Sequence, residues 1–95
     1  MAEAYYVYLV RCADDSLYCG ITNDVARRMA AHEAGTGARY TRGRGPLELV
    51  ISRRCRDKGT ALRLEYAIKQ LARGQKLALD RVAISRLARR IARSR

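Results

Sequence analysis

The segment YCGITNDVARRMAAH, residues 18–32, joins a predicted strand directly to a predicted helix and decides how the rest of the chain is arranged. Residues 17–21 have the composition of a strand. Thr22, Asn23 and Asp24 follow, and each is a residue type favoured at helix N-caps. The segment therefore predicts a strand–helix unit in which the helix begins close to Asp24.

Tyr18 and Arg28 place a phenol and a guanidinium on either side of this join. Val25 and Met29 supply the apolar stripe of the helix at i, i+4 spacing. The free N–H groups at the start of the helix favour anions. This combination suits a phosphodiester site. The alternative is a strand–helix unit with an exposed basic helix, since short motifs also match by chance.

The charge balance indicates a polyanionic partner. The 95 residues fit one domain, 1–95, and they include 20 Lys and Arg against 9 Asp and Glu, a formal net charge of +11. Such an excess is typical of proteins that bind phosphate-rich partners. A membrane surface is a second candidate, but no long apolar anchor accompanies the charge. Incidental binding of nucleic acid by a basic protein is the third.

The cysteines indicate a reducing compartment. Three are present, Cys12, Cys19 and Cys55, with no Cys-x-x-Cys pair. A zinc site needs more ligands than these and His32 readily supply. The first residues lack the charged start and apolar run of a signal peptide, and no apolar stretch is long enough to cross a membrane. We expect a cytoplasmic protein without a membrane partner.

Two strands are predicted at residues 5–12 and 17–22, with a turn at 13–16. The length of the loop decides which side chains share a face, because a one-residue slip exchanges the two faces. We expect a three-residue loop at 14–16, since it gathers the aliphatic side chains on one side. The expected pairs are Ala13 with Leu17 and Tyr8 with Thr22.

This register separates an apolar face from a phenolic one. The apolar face is expected to hold Val7, Leu9, Leu17, Cys19 and Ile21. The other face is expected to hold Tyr6, Tyr8, Tyr18, Gly20 and Thr22. The hydroxyls of Tyr8 and Tyr18 would then lie together. The alternative is that these are ordinary strand aromatics whose hydroxyls reach solvent.

The first helix is predicted at residues 24–33, with Gly35 as its C-terminal cap. His32 falls near the apolar stripe of this helix. It is either a hydrogen-bonded residue at the edge of the core or a functional imidazole.

A loop at residues 35–46 combines glycines, which let a ligand approach the backbone, with arginines. Arginine contacts two phosphate oxygens at once, and Tyr40 could stack on a base. The alternative is a solvated, flexible loop. The expected nucleic-acid contacts here and on the neighbouring helices are Arg27, Arg39, Tyr40, Thr41, Arg42, Arg44 and Lys69.

The second half of the chain predicts a strand at residues 47–52, a helix at 61–73 capped by Thr60, and a helix at 76–93. The first of these helices has an apolar stripe of Ala61, Leu64, Ile68 and Leu71. The second has a stripe of Leu77, Ile84, Leu87 and Ile91. The end of the predicted 76–93 helix and the residues after it carry a basic surface made of Arg86, Arg89, Arg90, Arg93 and Arg95. The alternative interpretation is a solvated basic face on a helix that packs against the core.

Glu65 lies at the border of an apolar stripe, one helical turn before Lys69. The two form either an ordinary i, i+4 surface pair or a carboxylate site for Mg²⁺, which often takes one or two protein carboxylates and keeps its waters.

Several short motifs, in order, resemble those of the GIY-YIG nucleases. They are Tyr-Val-Tyr at 6–8, the segment 18–28, His32, the loop ARYTRGRGP at 38–46 and the helix LRLEYAIK at 62–69. The chain looks most like the small stand-alone bacterial members, the YhbQ-like group. The resemblance covers about residues 5–76, and the basic helix at about 76–93 follows it.

The resemblance implies an α/β fold of the α+β type, with a small three-stranded antiparallel sheet flanked by about three helices. It also implies a metal-dependent endonuclease that hydrolyses phosphodiester bonds with Mg²⁺ or Mn²⁺. Tyr8 and Tyr18 match the two motif tyrosines, Arg28 the motif arginine, and His32 a histidine found in some branches. Glu65 matches the metal-binding glutamate.

From these roles we expect Tyr18 to take a proton from the attacking water and Tyr8 to orient the water or Tyr18. Arg28 would neutralise charge on the phosphoryl oxygens, His32 would assist or position, and the metal would be held by Glu65. DNA, in repair or recombination, is expected over RNA.

The chain departs from the motif at three places. Tyr6 stands where the pattern has Gly, and Cys19 where it has Ile. Several branches carry an Asn about one helix length after the metal glutamate, where this chain has Leu77 and where no Asn follows Asn23. Two other functions are therefore kept: a noncatalytic nucleic-acid-binding module on the same scaffold, and a basic adaptor that docks a protein through its last helix.

Overall fold

The computed structural model of the chain describes residues 4–93. Over this range it is a three-stranded antiparallel sheet flanked by four α-helices, so the predicted fold class is confirmed. The strands are β1 (Tyr5–Arg11), β2 (Leu17–Thr22) and β3 (Glu48–Cys55). The helices are α1 (Val25–Glu33), α2 (Lys58–Lys69), α3 (Arg73–Leu77) and α4 (Arg81–Arg93), with a 3₁₀ turn at Arg39–Thr41.

The sheet has the order β2-β1-β3, so β2 is an edge strand. Tyr8 pairs with Gly20, and the predicted Tyr8–Thr22 pair is wrong by two residues. The reason is a longer loop, 12–16, in which the Asp14 carboxylate accepts the Ser16 N–H and Asp15 adopts a φ of 65°. The shift is even, so the predicted division into an apolar and a phenolic face is preserved.

The core lies under the apolar face of the sheet. Val7, Leu9 and Cys19 are buried there against α2 and α4. The helix side chains that meet them are Ala61, Leu64, Ile68, Ile84 and Leu87. Helix α1 covers the opposite, phenolic face, where its His32 contacts Tyr8. The sheet therefore separates the apolar core from the side that carries the two motif tyrosines.

Helix α1 forms as predicted. The Asp24 carboxylate caps it by accepting the N–H of Arg27 at 3.0 Å. Beyond its end Gly35 adopts a φ of +78°, a left-handed conformation that glycine takes without strain.

The predictions for the following elements need correction. Strand β3 extends to Cys55, because it pairs with β1 as far as Tyr5. Asp57, not Thr60, caps α2, since its carboxylate accepts the Thr60 N–H at 2.8 Å. Helix α2 ends at Lys69.

The predicted helix 76–93 is two helices. The Asp80 carboxylate starts α4 by accepting the N–H of Ala83 at 2.8 Å, which separates α4 from the short α3. Leu77 is 43 % exposed and does not join the stripe of Ile84 and Leu87. Of the predicted basic surface, Arg95 lies outside the described residues. Within residues 4–93, every helix falls short of the length and apolarity needed to cross a bilayer.

Leu64→Ala should destabilise the fold, because this side chain is 1 % exposed and fills the space between α2 and the sheet. We expect the free energy of unfolding to fall by about 2–5 kcal/mol. Leu62→Ala is the matched control on the same helix, 45 % exposed, and should change it by less than about 0.5 kcal/mol. Urea unfolding followed by circular dichroism measures both, and equal losses would contradict this position of the core.

Candidate active site

A buried hydrogen bond between strand β1 and helix α1 forms the centre of the candidate site. Tyr8 is 1 % exposed and His32 is 2 % exposed. The Tyr8 hydroxyl lies 2.8 Å from His32 Nε2. The Tyr18 ring lies beside both, with centroids 6.2 Å from Tyr8 and 5.5 Å from His32. The expectation that the two phenols share a face is met by this geometry.

The surroundings of His32 determine which ring nitrogen carries the proton. The Ala38 backbone N–H donates to Nδ1 at 3.3 Å, so Nδ1 must be an acceptor. In this arrangement the Thr41 hydroxyl, 2.9 Å from Nδ1, donates its one hydrogen to the same nitrogen. We therefore assign the proton to Nε2, which donates to the Tyr8 oxygen. That assignment leaves the hydroxyl hydrogen of Tyr8 for another acceptor.

Tyr18 and Arg28 are the other polar partners of the Tyr8 hydroxyl. Burial raises the pKa of Tyr8 to about 12, partly offset by its hydrogen bond to Arg28. The same hydrogen bond raises the pKa of Arg28, which stays charged. Burial and the Arg28 charge lower the pKa of His32. At neutral pH the cluster therefore combines a neutral imidazole and a neutral buried phenol with a fixed cation.

Tyr40 covers Tyr18 from the loop. Their rings are stacked with centroids 5.8 Å apart. The Arg44 guanidinium lies 4.7 Å from the Tyr40 ring centroid and forms an ion pair with Asp14. One face of the half-buried Tyr18 ring therefore packs against Tyr40. Tyr40 is 41 % exposed and forms the solvent-facing side of the stack.

The residues of α1 and the following loop that are predicted to contact nucleic acid separate into a buried group and an exposed group. Thr41 is a correction: it is 1 % exposed and its hydroxyl lies against His32 Nδ1 at 2.9 Å, so it cannot reach a ligand. It supports His32 instead. Arg27, Arg39 and Arg42 are exposed.

Glu65 is positioned by helix α2, with Lys69 as its ion-pair partner. Helix α2 lies under the apolar face of the sheet, and the Glu65 carboxylate pairs with Lys69 at 3.5 Å. Its link to the site runs through Cys19, whose pKa is raised to about 12 by burial and secondarily by Glu65. Cys19 is the neighbour of Tyr18 on the edge strand, but its side chain points to the other face. The expected convergence of this carboxylate with the phenols stays a prediction.

The residues present fit one kind of metal site. Among residues 4–93 no group of three or more His, Cys, Asp or Glu side chains is placed to enclose an ion. Glu65, with 18 % of its side chain exposed, offers a single carboxylate. Mg²⁺ is commonly bound by one or two carboxylates with waters and substrate phosphates as the remaining ligands. Glu65 suits an ion that shares its coordination with a substrate.

Sequence reasoning missed the residues that position the cluster. A Cβ on Gly20 would lie 2.6 Å from the Tyr8 hydroxyl oxygen and 3.0 Å from a Tyr18 ring carbon. A Cβ on Gly37 would collide with His32 Nδ1. The signal for Gly20 was available, since glycine inside a strand indicates a close approach. The bonds from Ala38 and Thr41 had no sequence signal.

Gly20→Ala should disturb the phenol pair, because the added methyl group requires the Tyr8 and Tyr18 rings to move. We expect the free energy of unfolding to fall by about 1–3 kcal/mol. Gly74→Ala is the control, since nothing lies within 4 Å of its Cβ position, and α3 should tolerate it or gain up to about 1 kcal/mol. Thermal unfolding compares the two, and a neutral Gly20→Ala would contradict the described packing.

The charge state of His32 can be measured directly, because the chain contains one His. Its pKa lies below the ordinary 6.5. The unfolded chain therefore binds this proton first, so stability from this group is complete above pH 6.5 and is lost as the pH falls below it. Proton NMR of the imidazole should give a midpoint below 6.5. Arg28→Ala should raise that midpoint and Arg27→Ala should not, while a wild-type midpoint above 6.5 would contradict the buried neutral ring.

Comparison with known proteins agrees with the sequence motifs. Residues 4–78 match the family model described as the GIY-YIG catalytic domain. A UPF0213 protein of Vibrio cholerae is 59 % identical over 80 residues, which cover 83 % of this chain and 79 % of the relative. The UPF0213 protein YhbQ of Salmonella typhimurium is 48 % identical over 85 residues, 87 % of this chain and 85 % of YhbQ.

Solved structures give the same result. The solution NMR structure of the UPF0213 protein BH0048 from Bacillus halodurans matches with a TM-score of 0.51 and 41 % identity, covering 86 % of this chain and 93 % of that one. The structure of EF2693 from E. faecalis matches with a TM-score of 0.56 and 36 % identity, covering 78 % and 79 %. The chain belongs to the GIY-YIG family, which is a family of nuclease domains, and within that family to the UPF0213 (YhbQ-like) proteins.

Proposed function

We propose that the protein is a metal-dependent endonuclease that hydrolyses phosphodiester bonds of nucleic acid, with DNA favoured over RNA, acting in repair or recombination in the cytoplasm. The observation that carries this proposal is the contact of Tyr8 with Tyr18, Arg28 and His32 on one face of the sheet. The net charge of +11 supports a nucleic-acid substrate.

The hydrogen-bond order suggests how the phenols divide the work. His32 Nε2 donates to Tyr8, and Tyr8 in turn donates to the Tyr18 oxygen. Tyr18, half-buried at the edge strand, then accepts the proton of the attacking water as general base. Tyr8 and His32 are positioning residues in this scheme.

Arg28 is the fixed cation of the site and would neutralise charge that develops on the phosphoryl oxygens. Glu65 would hold Mg²⁺ or Mn²⁺, which when bound supplies Lewis-acid stabilisation of that charge. Because β2 is an edge strand, a phosphate at its rim is accessible to side chains from both faces of the sheet. The nucleic-acid strand on either side of the cleaved bond would be contacted by Arg27 on α1, by Tyr40 and by the loop arginines such as Arg39.

A noncatalytic nucleic-acid-binding module is the second candidate. The observation that favours it is the ion pair of Glu65 with Lys69, which engages the carboxylate that a metal ion would need. This alternative expects tight, salt-sensitive binding without a metal requirement.

Cleavage of plasmid, single-stranded and branched DNA, and of RNA, in Mg²⁺ or Mn²⁺ tests the proposal. We expect Tyr18→Phe, Arg28→Ala and Glu65→Gln each to lower the cleavage rate by about 100-fold or more. Chelation of the metal should abolish cleavage.

Each variant has a matched control outside the cluster. Tyr66→Phe changes a tyrosine that is 60 % exposed, Arg73→Ala an exposed arginine, and Glu48→Gln a surface ion pair. These three should cleave at the wild-type rate. Binding without cleavage of any substrate, or six variants of equal activity, would favour the binding module instead.

A further inference from the structure

The seam between α2 and α4 contains a long groove on the core side of the sheet. Two cavities of about 580 and 540 Å³ adjoin through Arg63 and Ile91. A third, of about 370 Å³, continues the first past Leu87 and Arg90. We call this the α2–α4 groove. Its walls carry Arg53, Arg56, Arg63, Arg86, Arg89 and Arg90.

The groove carries an excess of positive charge. Within the described part of the chain, no Asp or Glu lines any of its three cavities. Arg53 donates to the Ser85 hydroxyl at 2.9 Å, a neutral partner. One carboxylate lies beside the groove, that of Asp57, which is 3.5 Å from Arg56 and also interacts electrostatically with Arg63. A concave surface lined by charge of one sign concentrates the field and attracts anions.

The groove is separate from the candidate active site. Helices α2 and α4 pack on the Val7 and Leu9 face of the sheet, whereas Tyr8 and His32 lie on the other. It also depends on α4 (Arg81–Arg93), which lies beyond the residues 4–78 that match the family domain. A ligand in this groove therefore contacts the protein at a second place.

The lining indicates which polyanion fits. It contains no aromatic side chain among the described residues, so it offers no platform on which single-stranded bases could stack. Its cations are arginines, which bind phosphate oxygens two at a time. Arg86, Arg89 and Arg90 follow one face of α4 and are exposed. A row of arginines of this kind can bind successive phosphates along one backbone of a duplex.

We propose that the α2–α4 groove binds the phosphate backbone of a second segment of duplex nucleic acid. This rests on nucleic acid being the substrate class of the proposed function but does not require cleavage. The groove adds affinity, and the tyrosine face acts on a different segment. Its loss therefore raises KM for nucleic acid without changing kcat.

Binding of a fluorescent duplex to the full chain in EDTA tests the groove apart from catalysis. Arg63→Ala with Arg89→Ala should weaken binding at least tenfold at near-physiological salt. It should also reduce the slope of log K against log salt by about two, since each duplex phosphate contact contributes about 0.9. Arg63→Lys with Arg89→Lys keeps the charges and should retain most of the affinity, which separates this effect from misfolding.

Arg73→Ala with Arg93→Ala is the control, because it removes the same charge from exposed positions outside the groove. It should change affinity less than threefold. Equal losses of duplex affinity in the two alanine double variants would contradict binding at the groove and leave only nonspecific electrostatic attraction. An acidic peptide that binds the groove and is not displaced by duplex would overturn it in favour of a protein partner. Cleavage assays in Mg²⁺ report on the proposed function independently of these outcomes.

Discussion

The hydrogen bond between the Tyr8 hydroxyl and His32 holds the candidate site together. It joins β1 to α1 across 24 positions of sequence in a buried setting. Removing one partner leaves the other without compensation for its lost solvation, which costs more than the bond itself contributes. Because Ala38 and Thr41 satisfy the far side of the ring, the 3₁₀ turn, the helix and two strands all depend on one imidazole.

The sheet divides the molecule into two functional sides. One side carries the phenols, Arg28 and the basic loop, with polar contacts in place of an apolar core. The other carries the core of α2 and α4, with arginines along the outer seam. Glu65 belongs by position to the second side, while its neighbour Cys19 lies at the shared edge strand.

The sequence predicted the faces of the sheet and the cap of α1, because alternation and local capping are short-range signals. It missed the register, since the bonds of Asp14 and the φ of Asp15 that lengthen the loop leave the alternation unchanged. The helix break at Asp80 was missed because the apolar stripe of Leu77, Ile84 and Leu87 continues across it. Thr41 was misassigned because its partner, His32, reaches it only through tertiary structure. Motif order assigned the site residues, whereas the hydrogen bond from His32 to Tyr8 depends on tertiary structure.

The protonation of His32 is the most direct test of this account. Long-range proton–nitrogen NMR of the one imidazole in the chain distinguishes the two tautomers. We predict a neutral ring at neutral pH, with its proton on Nε2 and a bare Nδ1 that accepts from the Ala38 N–H. A proton on Nδ1, or a doubly protonated ring, would contradict the order of donors from His32 to Tyr8 to Tyr18.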